Sequence, residues 1–171
     1  MKNFKLNEKD ILSNQDWTFP TTTYYGPGRF NEIAKFCEEF DIKNPLIVTD
    51  SGSKDLPFIK KLIALLSKNN IKSDLFYNIS PNPRDDEISK GCDQFKNGSH
   101  DSIIAIGGGS AMDGGKSICL TVNSETPLWD FEFEQPVPKI TKENAFPKII
   151  TIPTTAGTGA ETEITAMVTH L

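Results

Sequence analysis

The sequence predicts an α/β domain built on a parallel sheet with helices on both faces, Rossmann-like in plan. Three observations predict it. Short apolar runs alternate with segments whose apolar residues recur at helical spacing. Two of those runs, PLIVT at 45–49 and SIIAI at 102–106, are nearly continuous, the pattern of strands buried on both faces. Loops rich in glycine, proline or threonine follow the runs. In such sheets ligands bind beyond the carboxyl ends of the strands, so these loops are where function is expected.

Residues 1–18 read as a polar N-terminal extension. Residues 19–25 are a β-rich run ended by Gly26-Pro27-Gly28, and Phe30, Ile33, Ala34, Cys37 and Phe40 then recur at helical spacing. After the strand at 45–49, Leu56, Ile59, Ile63 and Leu66 mark a second helix, and residues 74–77 a short strand. The turn Ser80-Pro81-Asn82-Pro83 leads into a third helix carrying Ile88, Cys92 and Phe95. The strand at 102–106 runs into Gly107-Gly108-Gly109-Ser110 and a helix with Ile118, Cys119 and Val122. Residues 123–147 lack periodicity and hold Pro127, Pro136, Pro138 and Pro147; a loop of that length is expected to be functional or only partly ordered. Its Trp129, Phe131 and Phe133 suit either a lid over the cleft or packing on the domain's flank. A strand at 148–152 and a β-rich tail to Leu171 complete the chain.

The chain has 171 residues, 37% hydrophobic and 24% charged, as for one globular domain. Its net charge of −5 and pI near 5.1 argue against nucleic acid and anionic membranes as main partners. No apolar run approaches the ~20 residues of a membrane span, and the N-terminus has no secretory h-region. Cys37, Cys92 and Cys119 form no Cys-x-x-Cys pair and fall on apolar helix stripes, as buried, reduced thiols would. A cytoplasmic protein is expected.

The strongest local signal is the triple glycine between a buried strand and a helix. It removes every Cβ that would hold a ligand away from the backbone, and the helix start favours an anion, here a pyrophosphate. Three glycines cost about 0.5–1 kcal/mol each in chain entropy, which a plain turn does not require. Ser110 and Asp113 also read as an S-x-x-D capping pair, so Asp113 serves either the cap or the site. The second signal is Pro153-Thr154-Thr155-Ala156-Gly157-Thr158-Gly159, whose hydroxyls suit phosphate, ribose or carboxamide. Asp50, directly after a strand, suits an adenosine ribose and would repel a 2′-phosphate; a turn-initiating role fits it equally.

GGGSAMDGGK at 107–116 and PTTAGTGAE at 153–161 resemble the two signature segments of the iron-containing, group III alcohol dehydrogenases. Tyr25-Gly26-Pro27-Gly28, Ile47-Val48-Thr49-Asp50, Asn82-Pro83 and Leu128-Trp129-Asp130-Phe131 fall in the family's order. The resemblance implies a dehydroquinate synthase-like N-terminal domain over residues 1–171 that binds NAD(P), and the charge of Asp50 favours NAD and disfavours NADP. The implied contacts run through Gly108, Gly109, Ser110, Thr154, Thr155 and Thr158, with Asp50 and Asn82 at the riboses and Asp113 nearby. Two positions depart from the family: Ala160, usually Ser, where a hydrogen bond near the cofactor is lost, and Gly115, often Ala, which weakens the helix.

In the family one Asp and three His of a helical C-terminal domain hold Fe²⁺ or Zn²⁺, and the metal polarises the alcohol oxygen for hydride transfer to nicotinamide. This chain has only His100 and His170, without ligand spacing, and both read as structural or surface residues. It is therefore expected to be the cofactor half of a homo-oligomeric enzyme acting on a small alcohol or aldehyde, inactive alone, with no catalytic or metal residue of its own unless Asp113 serves. Two other readings stand beside it: a dehydroquinate-synthase-like NAD-binding lyase domain and a non-catalytic NAD-binding module. Lys116 after Asp113 and the PTTAGTG segment favour the dehydrogenase.

Overall fold

The computed structural model describes residues 21–136, 138–139, 141 and 145–171, and the backbone of Gln15–Trp17. The expected N-terminal extension therefore lies mostly outside the described residues, as do Phe19 and Pro20 of the first β-rich run.

Four strands, β3 (Pro45–Asp50), β4 (Asp74–Ile79), β5 (Ser102–Gly107) and β6 (Lys148–Pro153), form a parallel sheet in the order β4-β3-β5-β6. A separate antiparallel pair joins β1 (Gln15–Trp17) to β2 (Thr23–Tyr25). The helices are α1 (Ile33–Glu39), α2 (Pro57–Lys68), α3 (Asp85–Asn97) and α4 (Gly109–Thr121). Strand and helix alternate as the apolar pattern requires.

The two-layer core follows from the period-two alternation of the central strands. Leu46 and Val48 of β3 and Ile103 and Ala105 of β5 pack against Ile88 and Phe95 of α3 and Met112 and Ile118 of α4. Ile47, Ile104 and Ile106 point the other way, against Ile33 and Cys37 of α1 and Ile59, Leu62 and Leu66 of α2. Register pins this arrangement: Leu46 pairs with Ile103, Ile47 with Ile104 and Val48 with Ala105. A slip of one residue would reverse both faces at once. β4 has a strand on one side only and is partly exposed, with Phe76 and Ile79 inside and Tyr77 and Asn78 outside.

The chain runs from β3 out to β4, then returns across β3 to lay down β5 and β6. The direction of winding thus reverses between β3 and β5. Their carboxyl ends, Asp50 and Gly107, flank the crevice where doubly wound sheets take ligands.

Several elements differ from the sequence reading. The helix expected from Phe30 opens as a 3₁₀ turn, Arg29–Glu32, before α1. In α2 the buried stripe is Ile59, Leu62 and Leu66; Ile63 is half-exposed, and Leu56 is the N-cap, before Pro57 at the first helical position. Strand β4 runs two residues past Tyr77. Residues 123–147 contain a 3₁₀ turn, Leu128–Phe131. The β-rich tail forms no strand among its described residues. Its one ladder contact is an isolated bridge between Arg84 and Thr169, where Thr169 N donates to Pro83 O at 2.7 Å and Asp85 N to Thr169 O at 3.2 Å. Among the described residues no strand lies beyond β6, and apart from that bridge the β-branched residues there join no ladder.

Candidate functional site

Three loops meet at the carboxyl edge of the sheet. The first leaves β5 through Gly107, whose φ of +147° suits glycine. A Cβ there would lie 2.7 Å from Ala111 Cβ and 3.1 Å from Asp50 Oδ2, so glycine is demanded by space as well as by backbone. Gly108 is the N-cap of α4 and Gly109 its first residue. The first turn of a helix has main-chain N–H groups without intrahelical partners, and here they sit at the positive end of a 13-residue helix.

The second loop follows β6 and faces the first. Thr154 N donates to Gly107 O at 2.8 Å, which docks the threonine loop on the glycine turn. A Cβ on Gly108 would lie 3.4 Å from Thr155 Oγ1, and one on Gly109 3.4 Å from Thr158 Oγ1. The two signature segments, some forty residues apart in sequence, therefore line opposite sides of one crevice, with no side chain between them on the glycine side.

The third loop carries Asn82. Ser110 Oγ donates to Pro81 O at 2.5 Å, tying the start of α4 to it. Ser80 Oγ, with one proton to share, lies 2.7 Å from Asn82 O and 3.0 Å from Glu87 Oε2, while Ser80 N and Arg84 N each donate to Glu87 Oε2 at 3.1 Å. Glu87 is buried, and its carboxylate is the hub that fixes the loop and caps α3. Sequence reading missed it; the signal was Arg84-x-x-Glu87 at the helix start.

Asp50 lies across the glycine turn. Its Oδ1 accepts from Gly52 N at 3.0 Å and its Oδ2 from Ser53 Oγ at 2.7 Å, so it does organise the turn after β3. An ionised carboxylate has about four acceptor sites, which leaves room for ribose hydroxyls as well.

The capping pair expected of Ser110 and Asp113 does not form. Gly108 is the N-cap, no side chain bonds the cap, and the Ser110 hydroxyl goes to Pro81 O instead. Asp113, its side chain 15% exposed, lies 3.4 Å from Lys116 Nζ and borders a cavity of about 310 Å³ with Gly109, Ser110, Thr158, Glu163 and Met167. Ala160 follows the second loop. It is buried in the core cluster beside α4.

The aromatic residues of the long loop lie on the flank. Trp129 Nε1 donates to Asp85 Oδ2 at 3.1 Å, and its ring stacks on His170 with centroids 4.8 Å apart. Phe131 and the exposed Phe133 border a second groove of about 580 Å³.

His100 is buried, with Nδ1 3.0 Å from Asn44 O and Nε2 3.4 Å from Asp74 Oδ2. It lies in the loop entering β5, at the opposite end of that strand from the glycine turn. Among the described residues no three His, Cys, Asp or Glu side chains are grouped to hold a metal ion. Cys37 and Cys119 are buried, and burial pushes their thiols up to about 11 and about 12. Cys92 is only half-buried; burial raises its thiol too, against the hydrogen bond from Thr121. No helix among the described residues is long and apolar enough to cross a membrane.

Known proteins resemble this chain in sequence and fold. A 1,3-propanediol dehydrogenase of Klebsiella pneumoniae is 29% identical over 85% of the chain and 37% of its own length. A choline dehydrogenase of Bacillus subtilis is 31% identical over 96% of the chain and 41% of its length, and alcohol dehydrogenase 4 of Schizosaccharomyces pombe is 35% identical over 88% and 35%. The chain thus spans about two fifths of the length of these curated relatives. Among solved structures, a 1,3-propanediol oxidoreductase superposes with a TM-score of 0.72 at 29% identity, over 80% of this chain and 34% of that one. A sulfoacetaldehyde reductase from Bifidobacterium kashiwanohense in complex with NAD⁺ gives 0.68 at 28%, over 80% and 35%. Residues 20–171 match the family described as iron-containing alcohol dehydrogenase, and the chain belongs to that family.

Proposed function

We propose that this chain is the NAD-binding part of a metal-dependent alcohol dehydrogenase, which moves hydride between a small alcohol or aldehyde and nicotinamide. One observation carries the reading: Gly108 and Gly109, after β5, face Thr155 and Thr158, after β6, beside the switch point of a parallel sheet and at the start of a long helix. Such a cradle fits a dinucleotide, because glycines admit the pyrophosphate to main-chain N–H groups and threonine hydroxyls approach from the far side. Bound NAD would supply the hydride acceptor. The chain's own residues would hold it: Gly108, Gly109 and Ser110 at the pyrophosphate, Thr154, Thr155 and Thr158 opposite, Asp50 and Asn82 at the riboses, and Asp113 at the cavity's edge. Asp50 favours NAD over NADP, since its charge would repel a 2′-phosphate.

Among the described residues no group of side chains fits a metal centre, so no catalytic step is assigned to a metal there. Fe²⁺ or Zn²⁺ and its ligands would belong to a helical domain outside these residues, as the relatives' greater length allows. The reading also carries a cytoplasmic protein without nucleic-acid or membrane partners, supported by a net charge of −5 and three free cysteines, and, on the family resemblance alone, a homo-oligomer.

Titration with NADH, followed by nicotinamide fluorescence, tests the proposal. Saturable binding that competes with NAD⁺ is expected; no binding at millimolar cofactor would overturn it.

A further inference from the structure

Lys116 sits two turns into α4, and its side chain is 16% exposed. Its ammonium donates to the carbonyl oxygens of Ala160 at 3.0 Å and Glu163 at 3.4 Å, and to that of Thr165. It also lies 3.4 Å from Asp113 Oδ1. An ammonium has three N–H donors, and here three main-chain oxygens of one short segment surround it. That segment has little regular structure of its own: Thr162 N and Glu163 N both turn back to Gly159 O, and Thr151 Oγ1 holds Glu161 O at 2.9 Å. Lys116 is where helix and segment meet.

The contact leads directly into the crevice. The peptide whose carbonyl Lys116 holds follows Ala160, whose own N–H donates to Thr158 Oγ1 at 3.3 Å. Thr158 is the residue that stands beside Gly109. The same ammonium faces Asp113, so the carboxylate bordering the cavity meets a positive charge where an anionic ligand would otherwise meet an unpaired negative one.

We propose that Lys116 is a positioning residue, whose ammonium gathers the carbonyls of Ala160, Glu163 and Thr165 and so holds Thr158 against the glycine turn in the geometry that grips a pyrophosphate. The proposal rests on the dinucleotide reading above and adds what sets the geometry of that site.

The test uses the protein with K116M, K116Q and K116R, measuring NADH affinity and amide hydrogen exchange without ligand. K116M should bind NADH roughly tenfold to a hundredfold more weakly, the scale of losing charge-assisted hydrogen bonds. Its amides at 160–165 should exchange faster while those of β3 and β5 keep their protection. A lysine serving only general stability would lower protection across the sheet as well. Affinity should fall in the order parent, K116R, K116Q, K116M, because arginine keeps charged donors and glutamine only neutral ones. K116M binding as tightly as the parent, or unchanged exchange at 160–165, overturns the proposal. If K116M fails to fold, equal affinity of the parent, K116R and K116Q overturns it. A parent that binds no NADH defeats the dinucleotide reading instead, and the exchange measurement then still decides whether the clamp exists.

Discussion

A Cβ placed on Gly115 would lie 2.5 Å from the Cβ of Ala105, so α4 rests on β5 almost backbone to backbone. Helix propensity alone has the opposite sign, since alanine is the better helix former by about 1 kcal/mol. The methyl of Ala105 is fixed to a central strand and has no rotamer to escape into. Overpacking of this kind costs about 1–3 kcal/mol. Gly115→Ala should therefore lower stability, read as a lower urea midpoint with unchanged slope. A raised midpoint would show that the helix moves off the sheet without penalty.

Gly109→Val should remove NADH binding and leave the sheet folded. Gly109 has no positive φ, so the strain in this turn resides at Gly107. What valine would do at 109 is steric, because its Cβ would already touch Thr158 and its methyls would fill the space the two loops leave open. Circular dichroism checks the fold and fluorescence titration the binding; parental affinity would make the turn merely structural.

Asp50→Gly should narrow the preference for NADH over NADPH by about 1–3 kcal/mol, the scale of a charge-assisted hydrogen bond. The same change removes the acceptors of Gly52 N and Ser53 Oγ, so affinity for both cofactors should fall somewhat. Competitive titration of the two reduced cofactors measures the ratio. An unchanged ratio would assign Asp50 to the turn alone.

The cysteines give a pH prediction. Burial holds the Cys37 thiol at about 11, with Asp101 adding to it, and the Cys119 thiol at about 12, against 9.0 for an ordinary thiol. Both should resist iodoacetamide at pH 8 until the protein unfolds, since the thiolate is the nucleophile. Above pH 9 the unfolded chain releases these protons while the folded one retains them. The unfolded state then binds fewer protons, so stability falls as pH rises from 9 towards 11 and 12. Denaturation midpoints at pH 8 and 10 test the sign; a higher midpoint at pH 10 would contradict the burial.

Residues 1–171 alone should form no NADH from NAD⁺ and primary alcohols with added Fe²⁺ or Zn²⁺. His100 is committed to Asn44 O and His170 stacks on Trp129, so neither is free to build a centre with the other. Absorbance at the NADH band reads the result. Metal-dependent turnover, absent in Gly109→Val, would show that these residues hold catalytic machinery.

The strands and the two signature loops were legible in the sequence because each rests on a local rule. Residues 45–49 and 102–106 are apolar on both faces because both faces are covered, and the glycines at 107–109 exist because a chain leaving β5 must turn and stay low. Asp50, Asn82 and the threonines follow strands or stand in turns, so their place at the carboxyl edge came with the sheet.

Tertiary structure decided what local rules could not reach. Ser110 had a plausible partner three residues away, yet its hydroxyl bonds Pro81 O, which a chain crossing brings closer than any cap. Ile63 fits a helical stripe as well as Leu62 does, but the sheet lies on the Leu62 side. Gly115 read as a weak helix residue until Ala105 was found against it. Lys116 carried no local sign of its task, because its partners are main-chain oxygens 44 to 49 residues further on. Side-chain type and spacing determine which segments form and which way their faces point; only the packed sheet determines which distant atoms those faces meet.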